Sequence, residues 1–571
     1  MSYGRIFAVC SLVAATSSTT LARELPDFGL MLNDDGDFSF VGVTPQRSVE
    51  DLQAHVGALA GTVVKTLTYG AGVDVVYYPT EIGSVWRWRD TPLDTPVENP
   101  KNENEMWHQR ISKIVDGLAA GIDPIRVAGE KAKSLGMYFM PSYRMNDDHF
   151  IFDPFESPLT GEFWIENHET MTIKDSPILS DDHYGNLLDF SHKEVREYRL
   201  GIIFEMIDRY QDIMDGFELD FNRSQVLFPR GKGPERAPLI TDMVRQIRKK
   251  LNKLGKTNGR EYYLLVRVPP SLKNCMWAGM DIAAWMDQKL VDVLIPAQLM
   301  TLAHDMPIHE FVALAEPAGA QVYPAIYPRT IYRWPLLANP TPANFKSTAA
   351  REVTSALVRG AAANYWDMGA SGFQLFNFHH EDWGVRPYTD RVYRIFRDLA
   401  SPQSLVLADK VYAVTPGFYL DHEDTYQYRK QIPTSINVGS STRMTFPVGE
   451  DYSDPSAATY PDKTVLMIGF NDLPQKAKIS ISLNGSKIYD GPTADHLIDP
   501  DGVAPVTSAA KSASLLFQIP IDKPALLVQG ENVLEVSIDT SKVKSGAAVE
   551  IAQCEVGVFY DRKYLKMLFE L

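Results

Sequence analysis

Asp215-Gly216-Phe217-Glu218-Leu219-Asp220-Phe221-Asn222-Arg223 is the stretch on which the reading of the fold turns. Phe217, Leu219 and Phe221 are apolar at alternate positions, the pattern of a strand with one face in a core. Its other face carries Gly216, Glu218, Asp220 and Asn222. Two carboxylates on a buried strand face are costly unless they are paired or used in chemistry. The segment before it, 191–210, is amphipathic with helical spacing. The order is therefore helix, tight turn, strand, with acids at the strand's C-terminal end. In a (β/α)8 barrel that end holds the catalytic residues.

Working outward, short apolar runs alternate with amphipathic segments from Phe28 to about Ser401, as repeated βα units do. Eight strands are expected, at 28–32, 64–68, 137–141, 216–221, 262–268, 291–295, 321–326 and 372–376. Asp123-Pro124 reads as an N-cap with proline at the first helical position, and Gly136 closes that helix. Ser191-His192-Lys193-Glu194 has the form of a capping box. The stretch 143–190 after the third strand is far longer than an ordinary βα loop. Beyond Leu405 helical spacing fades and β-branched alternation takes over, at 464–468, 478–483, 514–519, 532–538 and 549–559. Asn484-Gly485 is a hairpin signal. The fold class expected is a TIM (β/α)8 barrel over residues 23–401, followed by an all-β, jelly-roll-like sandwich over 402–571.

With 571 residues, 45% of them hydrophobic, the chain can build a large core. Its 56 basic and 72 acidic residues give a net charge of −16, which argues against nucleic acid or an anionic membrane as partner. Residues 1–22 read as a secretory signal: Arg5, an apolar run too short to span a bilayer, and Thr20-Leu21-Ala22 as a cleavage site. The expected location is secreted or periplasmic. Of three cysteines, Cys10 lies in that signal, and Cys275 and Cys554 fall in different domains. A disulfide framework is not expected, nor is a structural zinc site.

Asp220 lies at the rim of its strand and Glu218 one layer down. Glycosidic-bond chemistry uses two carboxyl groups, one charged and one protonated, roughly 5–5.5 Å apart for retention and 6.5–9.5 Å for inversion. Acids two apart on a strand decide neither. For Glu218 a structural role, paired with Arg144 or Arg267, competes with a catalytic one. Past the third strand, Arg144, Asn146, Asp147, Asp148 and His149 bring a guanidinium, an amide, two acids and an imidazole beside the fourth strand. Asp147, Asp148 and His149 are also a possible metal set, with no diagnostic ligand spacing. His304-Asp305 follow the sixth strand, and His379, His380, Glu381, Asp382 and Trp383 follow the eighth. Asn33, Asp34, Asp35 and Asp37 either line the rim or serve as ordinary turn residues. All nine tryptophans precede Leu405. Trp86, Trp88, Trp277, Trp334 and Trp383 follow strands, where indole faces stack on sugar rings; Trp107, Trp285 and Trp366 sit in helical segments and are expected in the core.

The runs 143–149, 188–198 and 215–223 resemble secreted glycoside-hydrolase-like barrels, the glycosyl hydrolase-like group, and the resemblance covers 28–401. It implies a (β/α)8 fold and carbohydrate chemistry, with Asp220 as nucleophile or base and Glu218 as its neighbour. One departure stands out. The seventh strand ends Ala325-Ile326-Tyr327-Pro328-Arg329, without the carboxylate that a seventh-strand nucleophile requires. The C-terminal stretch, through Leu483-Asn484-Gly485 and 530–536, resembles galactose-binding-like jelly-roll modules, which implies a structural appendage.

The sequence thus points to an exported glycoside hydrolase acting on a polysaccharide or oligosaccharide without a cofactor. Asp220 is the expected nucleophile or base, and Glu218, Asp148 and Asp305 are candidate proton donors. Arg144, Asn146, His149, Asn222, Arg223, Trp86, Trp334, His379, His380 and Trp383 are the expected substrate contacts. Two rivals remain: a non-catalytic carbohydrate-binding barrel, and a metal-dependent hydrolase built on Asp147, His149, His379 and His380.

Overall fold

The computed structural model describes residues 24–36, 49–72, 74–85, 117–118, 120–147, 155, 157, 159–173, 186–299, 301–331, 350–378, 388–416, 428–474, 477–492, 512–539 and 548–560. Parallel strands β1 (Leu30–Asp34), β2 (Val64–Gly70), β3 (Tyr138–Arg144), β4 (Gly216–Asp220), β5 (Tyr263–Val268) and β6 (Val293–Pro296) pair each with the next in the chain. The seventh expected strand is broken in two. β7 (Gln321–Val322) pairs with β6, and β8 (Ala325–Ile326) pairs with the last barrel strand, Gln374–Phe376. Pro324 sits at the break, where it has no N–H to give to a ladder. Because the last strand also pairs with β1, the ring closes, and the nine strand pieces make an eight-stranded barrel. All eight expected strands are present. Between β8 and the last barrel strand, β9 (Arg329–Ile331) and β10 (Ala350–Glu352) form a small antiparallel ribbon, so the last barrel strand is β11.

Helices α1 (Val49–Gly57), α2 (Pro124–Ser134), α3 (Glu162–Met171), α4 (Lys193–Tyr210), α5 (Gly233–Asn258), α6 (Leu272–Trp277), α7 (Ile282–Asp287), α8 (Ile308–Ala318), α9 (Ser355–Asp367) and α10 (Asp390–Asp398) interleave with the strands. α2 starts and stops as its sequence demands. Asp123 Oδ1 accepts from the Arg126 amide at 3.1 Å, and Gly136 takes φ +75° just beyond the end. α4 departs from the expected capping box: its N-cap is His192, with no side-chain cap. The Ser191 hydroxyl and amide instead donate to Asp189 Oδ1 at 2.5 and 2.8 Å. A charged acceptor two residues away outcompetes the helix amides.

Side chains alternate in and out along each barrel strand. The inward ones form layers. At the floor, Phe28, Met31, Met140, Leu265, Val293, Ile295 and Tyr323 pack together. Phe28 stands edge-on to Tyr138 and Tyr263, with centroids 5.2 and 5.1 Å away. Two residues further along, the interior turns polar, with Ser142, Glu218, Asn33, Thr68 and Gln374 all buried. Above that layer Arg144, Asp220 and Arg267 lie level across β3, β4 and β5.

After the barrel come two antiparallel sheets. One has the order β12 (Lys410–Ala413), β20 (Ala548–Phe559), β15 (Lys463–Pro474), β18 (Ser512–Pro520), with β13 (Thr434–Asn437) also on β20. The other runs β14 (Ser441–Val448), β19 (Gly530–Asp539), β16 (Lys478–Leu483), β17 (Ser486–Pro492). Asn484 and Gly485 join β16 to β17 with φ of 49° and 80°, the left-handed pair that a two-residue hairpin turn requires. The sequence reading omitted β12, β13, β14 and β17. β17 and the first half of β14 bury few side chains, so their alternation is weak. Among the described residues no helix is long and apolar enough to cross a membrane.

Candidate active site

The polar and charged layers meet at the C-terminal end of the barrel strands. Glu218 is completely buried there. The Ser142 hydroxyl donates to its Oε1 at 2.6 Å, and Asn33 Nδ2 approaches the same oxygen at 3.5 Å. Gln374 Nε2 donates to Oε2. The same Gln374 nitrogen and Asn33 Nδ2 both reach Thr68 Oγ1, at 3.2 and 3.1 Å. Four strands, β1, β2, β3 and β11, therefore supply neutral groups around one carboxyl on β4. Burial pushes the Glu218 carboxyl above the usual glutamate range, against the pull of Arg267.

Asp220, one layer up, has the counter-charge that Glu218 lacks. Arg267 Nε donates to its Oδ1 at 2.9 Å and Arg267 Nη2 to its Oδ2, a two-pronged pair with both partners buried. The Asn222 amide also donates to Oδ1, at 2.8 Å. Arg267 is held from its other side: its guanidinium carbon lies 4.2 Å from the Phe376 ring centroid, and Tyr327 stacks on Phe376. Arg267 is thus the partner of Asp220. The expected ion pair between Glu218 and Arg144 or Arg267 is absent among the described contacts. Arg267 projects from β5 level with Asp220 and not with Glu218.

Arg144 completes the charged layer. It pairs with Asp35, reaches Asp147 Oδ2 at 3.2 Å, and places Nε 4.0 Å from Asp220 Oδ2. Asn377 binds Asp35 through its side chain, so the loop after β1 is tied to the end of β11. Of the acidic run after β1, Asn33 and Asp35 join the site, while Asp34 pairs with His55 on α1. Among the described residues, Asp35, Asp147 and Asp220 share this layer with Arg144 and Arg267.

The remaining expected site residues divide three ways. Asn146 is structural: its amide donates to the carbonyls of Leu188 and Val226 at 3.1 and 2.9 Å, joining two loops. Asn222 is buried, with its carbonyl taken by Gln225 Nε2 at 2.5 Å, and Arg223 is half-buried. Asp305 is not brought to Glu218 and Asp220 by any described contact. Its Oδ1 accepts from Thr415 Oγ1 at 2.6 Å, where the loop after β6 meets the chain leaving β12. Asp148, His149, Trp86, Trp88, Trp334, His379, His380, Glu381, Asp382 and Trp383 lie outside the described residues. Trp277 ends α6 packed partly against the core, and Trp285 is fully buried. Trp366 is packed against the core as well.

Sequence reasoning passed over Gln374 and undervalued Arg267. The signal was a single polar residue inside an apolar strand: Arg267 in Leu-Leu-Val-Arg-Val and Gln374 in Phe-Gln-Leu-Phe.

No family model and no curated protein matches the chain. Solved structures with resembling backbones include a cycloisomaltooligosaccharide glucanotransferase of Paenibacillus sp. (10% identity; 92% of this chain and 57% of that one; TM-score 0.31). Another is the chitinase ChiW of Paenibacillus sp. (10% identity; 93% and 56%; TM-score 0.35). A third is a GH18 chitinase from Pseudoalteromonas aurantia (8% identity; 66% and 99%; TM-score 0.33). The chain spans little more than half the length of the first two. At these scores the likeness carries no argument about the site, and the barrel assignment rests on the strand pairing itself.

Proposed function

We propose that this chain is an exported glycoside hydrolase acting on a polysaccharide or oligosaccharide at the mouth of its barrel. One observation carries the reading. Two neighbouring carboxyl groups have opposite surroundings, Glu218 among neutral donors and Asp220 under a two-pronged guanidinium. Pairs of acids whose environments are driven apart mark acid and base assignments. Glu218 is the group suited to carry a proton, and Asp220 is the one suited to face the positive charge that develops on a sugar ring as its glycosidic bond breaks. This shifts the weight of the sequence reading, in which Asp220 led and Glu218 was its neighbour. The β-sheet region after the barrel serves as a structural appendage.

The test is product analysis on a broad panel of polysaccharides, wild type beside Glu218→Gln. Wild type releases new reducing ends. The variant falls by more than about tenfold, at least about 1.4 kcal/mol in barrier height, and recovers on aryl glycosides whose leaving group needs no proton. A folded Glu218→Gln protein with wild-type rates removes Glu218 from the chemistry.

A second reading, a carbohydrate-binding barrel without turnover, is favoured by one specific fact. Both Asp220 oxygens are already engaged by Arg267, and Asp220 is 1% exposed. Glycan binding with no product on the same panel selects it. The metal-dependent alternative loses Asp147 to Arg144, and its other residues lie outside the described ones.

A further inference from the structure

Tyr327 brings an aromatic ring into the mouth of the barrel, beside the charged layer. It follows β8 directly, and Pro328 comes next. A residue before proline is held to extended backbone, so the alternation of the strand carries through Tyr327. Ala325, two residues earlier, packs on the floor cluster inside the barrel. Tyr327 therefore points inward as well, one layer higher. Its contacts agree with that direction. β8 and β11 pair Ala325 with Gln374 and Ile326 with Leu375, so the next step sets Tyr327 beside Phe376. The two rings stack, with centroids 5.2 Å apart and planes 22° apart. Phe376 in turn lies 4.2 Å from the guanidinium carbon of Arg267, the partner of Asp220.

We propose that Tyr327 is a substrate-binding residue, the platform on which a sugar ring stacks as it enters the site above Glu218 and Asp220. Exposure separates the two rings of the stack. Phe376 is 6% exposed, with Arg267 and Tyr327 against it. Tyr327 keeps part of its surface in solvent, and a ring that points into the mouth meets solvent there. A pyranose has an apolar C–H face and a rim of hydroxyls. The charged layer offers donors and acceptors to the rim. An aromatic ring serves the apolar face. Phe376 holds the Tyr327 ring in one orientation, so little side-chain freedom is left to lose on binding.

A purely structural role is the competitor: Tyr327 would prop Phe376 and, through it, Arg267. The two roles differ in kinetics. A prop acts on the placement of Arg267 and so on turnover, whereas a platform acts on affinity.

This inference rests on the reading of the barrel mouth as a carbohydrate site, and the test keeps the two apart. Wild type, Tyr327→Leu and Tyr327→Phe are titrated calorimetrically with cellohexaose, maltohexaose, chitohexaose, mannohexaose and xylohexaose, and initial rates are measured on those that are cleaved. Leucine keeps an apolar cover on Phe376 but has no flat face; phenylalanine keeps the face. Tyr327→Leu is expected to weaken binding of the hexasaccharide that wild type binds by about fivefold or more, and to raise KM with kcat within about twofold. Tyr327→Phe stays within about twofold in both. If Tyr327→Leu does not fold, Tyr327→Met takes its place. A folded variant with wild-type affinity overturns the proposal, and so does one that loses kcat and keeps its affinity, the mark of a prop; cleavage by wild type then leaves the hydrolase reading standing. Binding that depends on Tyr327 without any cleavage keeps the platform and removes the hydrolase reading instead. A wild-type protein that binds none of the five sugars overturns both.

Discussion

Glu218 and Asp220 are two residues apart, yet the same kind of substitution should affect them in opposite ways. Asp220→Asn leaves Arg267 buried without its counter-charge, and breaking such a pair from one side costs about 3–5 kcal/mol. Glu218→Gln removes no ion pair. Its neutral surroundings rearrange, because the Ser142 hydroxyl rotates and the Asn33 amide can turn its unpartnered oxygen to the new N–H₂. The expected stability change is within about 1 kcal/mol. Urea unfolding of the two variants beside wild type checks the contrast, and an equally destabilised pair contradicts it. The sequence alone suggested the reverse, with Glu218 as the acid whose replacement destabilises the fold and Asp220 as the one whose replacement keeps it. A strand face showed both acids but not which one the arginine on the next strand would meet, since that depends on register across β4 and β5.

At the scale of elements, what could be read and what could not follow from how local each signal is. Strand alternation and helix caps act within a few residues, so all eight barrel strands and both ends of α2 were legible. The break in the seventh strand depends on which neighbour each half meets, and the reading missed it although Pro324 was in view. Packing of α9 against β12 was equally hidden, because the signal is a glycine in a helix, which reads only as a weak point. In the fold Gly360 has a reason. A Cβ there would lie 2.0 Å from the Val411 carbonyl oxygen, and one on Gly449 would lie 2.2 Å from the Ala363 carbonyl oxygen. Backbone cannot move aside as a side chain can. Gly360→Ala is therefore expected to destabilise the protein by about 1–3 kcal/mol, the cost of overpacking, although alanine favours helix. An unchanged unfolding midpoint would contradict the close approach of α9 to β12.

At the scale of the whole molecule, the barrel and the β-sheets meet at that same contact and at a buried polar seam beside it. His304 donates its backbone amide to Thr415 Oγ1 at 2.9 Å, Thr415 donates to Asp305, and Asn364 on α9 donates to the His304 carbonyl at 2.9 Å. Burial holds the His304 ring neutral, with its proton affinity pulled from the ordinary 6.5 down to about 3. The sign follows directly. Below pH 6.5 the unfolded chain takes a proton on this histidine that the folded protein refuses until about pH 3, so stability falls across that window as pH drops. At pH 5 the loss from His304 amounts to about 2 kcal/mol relative to pH 7.5. Asp305 acts in the opposite direction, because burial raises its carboxyl and favours the protonated form in the fold. The contribution of His304 is isolated by comparison with His304→Gln, in which Asp305 and every other titrating group remain. The variant is expected to start less stable at pH 7.5, having lost shape at a buried site, and to lose about 2 kcal/mol less than wild type between pH 7.5 and 5. Urea unfolding of both proteins at the two pH values measures it. Identical losses in the two proteins would show that His304 meets solvent in the folded state, and that the seam between the barrel and the β-sheets opens where the structure draws it closed.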